Sequence, residues 1–97
     1  MHASVRKYQV DPDRIDDVAR RVDESFAARL EDTPGFAGYH LIDCGNRILI
    51  TVTLGDDRDA VERTVELAAE FVRDELSDVE IERIEAATGE VAVSRGA

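Results

Sequence analysis

The apolar residues of this chain alternate between a period of two and a period near four, in the order strand, helix, strand, strand, helix, strand. Ser4 to Val10 is rich in β-branched and aromatic residues and stops at Asp11-Pro12-Asp13, which predicts a strand running into a helix start. Asp11 suits the N-cap and Pro12 the first helical position, while Val10 and Ile15 have the spacing of a hydrophobic staple. Ile15, Val18, Ala19, Val22, Phe26 and Leu30 then recur every three or four residues, predicting a one-sided amphipathic helix. Thr33-Pro34-Gly35 ends it, since proline disfavours helical geometry in the residue before it.

A second strand is predicted from Phe36 to Ile42, with turn residues at Asp43-Cys44-Gly45-Asn46 and a third strand from Arg47 to Leu54. Gly55-Asp56-Asp57 opens a second helix with Val61, Val65, Ala68, Val72 and Leu76 as its core stripe. Leu67 and Phe71 fall off that stripe, so they either meet a second surface, such as a partner chain, or widen the buried arc. An extended or bulged piece is expected from Ile81 to Ile84, and the last strand from Glu90 to Ser94.

This order is the split β-α-β arrangement of a ferredoxin-like α+β fold: residues 1–97 form one domain with an antiparallel sheet and both helices on one face. The third strand is apolar or β-branched on both parities, with Ile48, Ile50, Val52 and Leu54 on one side and Leu49, Thr51 and Thr53 on the other. A lone domain would leave one of those rows in water. The expectation is a homodimer closed through the open sheet face, enclosing a cavity between each sheet and its partner.

Composition narrows the partners. Twelve basic against twenty-two acidic residues give a net charge of −10, which repels nucleic-acid phosphates and anionic membranes, so neither is expected as a partner. All the basic residues except Lys7 are arginine and the acids are spread along the chain, a halophilic bias in which salt screens carboxylate repulsion. No run approaches the roughly 18 apolar residues of a membrane helix, and MHASVRKYQV lacks a signal-peptide core, so a cytoplasmic location is expected. Cys44 is the sole cysteine, which excludes an intramolecular disulfide and leaves no thiol cluster for zinc.

Three segments carry a resemblance: the Pro34-Gly35-Phe36 turn into Gly38-Tyr39-His40-Leu41, the Leu54-Gly55-Asp56-Asp57-Arg58 passage, and the closing Gly89-Glu90-Val91-Ala92-Val93. In their order and spacing the chain resembles the antibiotic-biosynthesis-monooxygenase-like branch of the dimeric α/β barrel superfamily, over essentially its whole length. The resemblance implies a dimer and either a cofactor-independent oxygenase or a binding protein. Oxygenases of that superfamily often pair a tryptophan with an asparagine near the cavity, and its haem-degrading members use a second-helix histidine. This chain has no tryptophan and no histidine between Asp57 and Leu76, so no metal, haem or flavin is expected.

His40, an imidazole on the second strand, is the candidate catalytic base for an acidic phenol or enol, or else a hydrogen-bonded packing residue. Arg6 and Tyr8, two apart on one strand face, could present a cation and a phenol to an anionic or aromatic ligand, or form an edge ion pair and a packed ring. Thr51 and Thr53 add hydroxyls if their parity faces the cavity. Two functions follow: a cofactor-free oxygenase acting on a small aromatic or quinol-like substrate, and a non-catalytic ligand-binding or stress-associated dimer.

Overall fold

A computed structural model describes residues 1–96. Strands β1 (His2–Val10), β2 (Phe36–Gly45), β3 (Ile48–Gly55) and β4 (Ile81–Glu90) form one sheet in the order β2-β3-β1-β4, with every neighbouring pair antiparallel. This is the expected ferredoxin-like topology, and it makes β1 and β3 the inner strands.

A 3₁₀ turn (Pro12–Arg14) leads into α1 (Ile15–Arg21), a π-helical turn (Val22–Phe26) and α2 (Ala27–Glu31), which together form one continuous helical arm. Asp11 caps its start by accepting from the Asp13 N–H at 3.0 Å. The π turn follows from the sequence. Val18, Val22, Phe26 and Leu30 are all buried and separated by fours, and at 3.6 residues per turn each step of four overshoots by about 40°. One wider turn takes up that drift and keeps all four side chains on the sheet.

Helix α3 (Arg58–Glu75) is capped by Asp57, whose carboxylate accepts from the Ala60 N–H at 2.9 Å. It can lie against β3 because residue 55 is glycine: a Cβ there would sit 2.9 Å from Val61 Cγ2. The predicted core stripe of α3 is corrected. Ala60, Val61, Thr64, Ala68 and Phe71 are the buried residues of the helix, while Val65 and Val72 are only half-buried. Phe71 is therefore core rather than a contact for a second surface. Thr64 occupies a buried position because its hydroxyl donates to the Val61 carbonyl at 2.6 Å, hiding its polarity inside the helix.

The closing strand is also corrected: β4 begins at Ile81, where an extended or bulged piece was expected, and ends at Glu90, so residues 91–94 of the expected last strand lie beyond it. After Glu90 the Val91 N–H bonds to the Met1 carbonyl at 2.9 Å, and Val93 is exposed. The hairpin turns at Asn46-Arg47, both at positive φ (50° and 68°), so Asp43 to Gly45 belong to β2 and not to the turn.

Register fixes the two faces. Ser4, Arg6, Tyr8 and Val10 of β1 and Leu49, Thr51 and Thr53 of β3 lie buried under the helices. Val5, Lys7, Ile50, Val52 and Leu54 line the uncovered face, joined by His40 and Ile42 of β2.

Candidate functional site

On the helix side of the sheet the central register places Arg6 opposite Thr51 and diagonal to Thr53. The arm and α3 close over this point, leaving Arg6 only 1% exposed. One amino group of its guanidinium, Nη2, donates to Thr53 Oγ1 at 2.9 Å. Nε and Nη1 have no partner, nor does the buried hydroxyl of Thr51. Among the described residues no carboxylate pairs with Arg6; the eleven ion pairs all lie elsewhere.

These polar atoms form the floor of an apolar pocket between sheet and helices. Val22 and Phe26 come down from the arm, Phe71 and Leu76 from α3, and Tyr39 and Leu41 from β2. Phe26 meets Tyr39 edge-on at 5.5 Å between ring centroids and Phe71 at 5.2 Å, so the roof is aromatic. Arg29 stacks over Phe71 from outside at 5.6 Å and pairs with Glu75 at 2.8 Å. About 30 Å³ is free inside, room for about two waters at ~10–15 Å³ each.

Burial pushes the Tyr39 phenol up to about 12, against a lowering by the nearby Arg6 charge. At neutral pH Tyr39 is thus a hydrogen-bond donor and not a base.

The structure brings three predicted site residues, Arg6, Tyr8 and Thr51, together in this pocket and separates the fourth. His40 pairs in register with Val52 on the uncovered sheet face and is exposed. The buried pocket lies between sheet and helices of one chain, a different place from the cavity expected between sheet and partner sheet. The edge ion pair considered for Arg6 is also absent, because β1 is an inner strand. Tyr39 and the Phe26–Phe71 pair complete the site and were not among the site candidates read from the sequence, where Phe26 stood in the first helical stripe and Phe71 off the second. No histidine lines the pocket, so its residues do not fit a haem held by an imidazole.

No family model matches the sequence, and no curated protein does. Solved structures do match in fold. A mutant of MhuD with two manganese protoporphyrin IX bound per active site superposes with a TM-score of 0.77 at 18% identity, covering 100% of both chains. A candidate antibiotic biosynthesis monooxygenase from Deinococcus radiodurans gives 0.76 at 12% identity, covering 100% of this chain and 98% of the other. A dimeric ferredoxin-like protein from an uncultured marine organism gives 0.75 at 12% identity, covering 99% and 98%. The chain therefore has, over its whole described length, the ferredoxin-like α+β fold shared by proteins named as antibiotic biosynthesis monooxygenases and by dimeric ferredoxin-like proteins.

Proposed function

We propose that this protein is an antibiotic-biosynthesis-monooxygenase-like homodimer that oxidises a small aromatic or quinol-like substrate with dioxygen, without a cofactor, in the pocket between sheet and helices. The observation that carries the reading is Arg6, a cation buried with unused donors in an aromatic-walled pocket that offers it no counter-charge. No carboxylate or imidazole lines that pocket, so a protein base is not what would ionise the substrate there. Arg6 can do so instead by stabilising the bound phenolate or enolate, the proton leaving to water; the anion then passes one electron to dioxygen, the substrate radical and superoxide join in a C–O bond, and the hydroperoxide, once protonated, loses water to leave a carbonyl. His40 is assigned to the face between protomers. Dimerisation would cover the aliphatic row of the open face, where Val5 is 42% and Ile42 is 46% exposed.

Oxygen uptake with a panel of quinols tests the proposal, comparing wild type with Arg6→Met. Turnover that the variant loses supports it, and equal turnover in both removes Arg6 from the chemistry. The same missing base favours a second reading, a dimer that binds its ligand without turning it over; ligand binding without oxygen uptake is its signature.

A further inference from the structure

We infer that the pocket is a receptor for a small aromatic carboxylate, which enters between α3 and β4 and seats its carboxylate on Arg6 and Thr51. The inference deepens the reading above by naming the ligand class of the same site. It starts from what the floor lacks. A guanidinium carries five N–H donors, and the three on Nε and Nη1 face no acceptor in the protein. The space holds about two waters, which could satisfy those donors but not the charge. A cation held in an apolar site without an anion is strongly disfavoured, whereas a carboxylate brings both the charge and the acceptor atoms. The Thr51 hydroxyl, in register with Arg6 and equally unpartnered, supplies a further donor. The rings of Phe26, Tyr39 and Phe71 suit a flat apolar body above it.

The route is set by charge. Two surface grooves share walls with the cavity. One, of about 440 Å³ between the arm and β2, carries Asp23 and Glu31 and would repel an anion. The other, of about 300 Å³ between α3 and β4, is lined by Tyr8, Ala69, Val72, Arg73, Ile81 and Arg83. Arg73 leans on the adjacent Asp74 at 3.0 Å. Arg83 makes no ion pair among the described residues, and it stands directly across the β1–β4 register from Tyr8. Arg83 makes this the more cationic of the two grooves. Tyr8, Val72 and Ile81 line both groove and cavity and so form the partition that the ligand must move. With this partition closed, a ligand larger than two waters has no room.

Calorimetry with 1-naphthoate and its neutral isostere 1-naphthamide tests the site without requiring turnover. Wild type should bind the carboxylate ~10- to 100-fold more tightly, the scale of charge-assisted hydrogen bonds. Arg6→Met should abolish that preference. Thr51→Val, whose fold is less at stake, should reduce it, and Arg83→Gln should slow naphthoate association at low ionic strength. Equal binding of acid and amide by wild type, or a preference that survives Arg6→Met, overturns the inference. So does acetate or phosphate raising the melting temperature as much as naphthoate, since the apolar body would then not be read. A carboxylate preference without oxygen uptake refutes the oxygenase reading alone; uptake with neutral quinols but no such preference refutes this inference alone.

Discussion

Replacing Arg6 with methionine should make the ligand-free protein more stable, although it deletes a buried hydrogen bond. The native side chain has one protein partner, Thr53 Oγ1 at 2.9 Å, while Nε and Nη1 face no acceptor in the protein and no counter-charge. That hydrogen bond to a charged group contributes about 1.5–3 kcal/mol. Against it stands the effective cost of burying an unpaired ion, several kcal/mol, and apolar replacement of buried ionic groups commonly stabilises by about 1–4 kcal/mol. Methionine keeps the unbranched stem and fills the space with little strain, leaving a net gain of about 1–2 kcal/mol. In a domain of this size each kcal/mol moves the melting temperature by about 4–8 °C, so a rise of roughly 5–15 °C is expected. The assay is a thermal melt followed by circular dichroism, on protein dialysed free of organic anions, because a bound anion would stabilise the wild type by mass action. The double variant Arg6→Met/Thr53→Val, which removes the orphaned hydroxyl as well, should melt higher still. A melting temperature lowered by either variant would refute the reasoning, since it would mean that the buried charge is compensated.

Four further outcomes follow. Tyr39 holds its proton to about 12 while an unfolded tyrosine releases it near ~10; the unfolded chain therefore binds fewer protons in that window, and stability should fall as pH rises from 10 to 12. An absorbance titration of phenolate should show the late step in wild type and not in Tyr39→Phe. Asp78 ties the arm to the loop after α3 by accepting from Arg21 at 2.7 Å and Arg14 at 2.8 Å, and the Arg21 and Arg14 guanidiniums hold its carboxyl well below the usual range. Its contribution is present above the ordinary carboxylate pKa of ~3.9 and fades as pH falls below it, so Asp78→Asn should lower the melting temperature at pH 7 and converge with wild type in acid. Light scattering should report about twice the 10.7 kDa chain mass, and Val52→Asp, which puts a carboxylate on the proposed dimer face, should weaken dimerisation by ~100-fold or more; a monomeric wild type rejects that interface. Melting temperature should climb with potassium chloride as screening relieves the repulsion among twenty-two acidic residues, and a flat or falling trend would reject salt adaptation.

Local periodicity carried most of the architecture. The buried stripe of the arm, the Asp11 and Asp57 caps and the two-sided apolar β3 all depend on contacts within a few residues or on one face of one element, so they are written in the sequence. The sequence leaves Phe71 open between the core and a second surface because the stripe that includes it contains Thr64, and only the helix geometry shows that the threonine hydroxyl is satisfied internally. The extended start of β4 at Ile81 was legible, but its continuation to Glu90 was not, because the segment IERIEAATGE is mostly exposed and lacks alternation, whereas the more apolar residues after it attract the assignment.

The site itself is a product of topology. From the sequence alone, Arg6, Tyr8 and Thr51 are candidate ligand-binding residues by strand face and parity only, and Tyr39 is an ordinary strand residue. What isolates the Arg6 guanidinium is the placement of β1 between β3 and β4 and the closure of two helices over it, which shuts out bulk water and leaves no carboxylate lining the pocket. The same register that buries Arg6 turns His40, the residue whose chemistry looked most catalytic, onto the opposite face. Residue types and their spacing determine which side chains can share a strand face. Which face the helices cover, and therefore which polar group is buried without a partner, is decided only when elements far apart in the chain pack together.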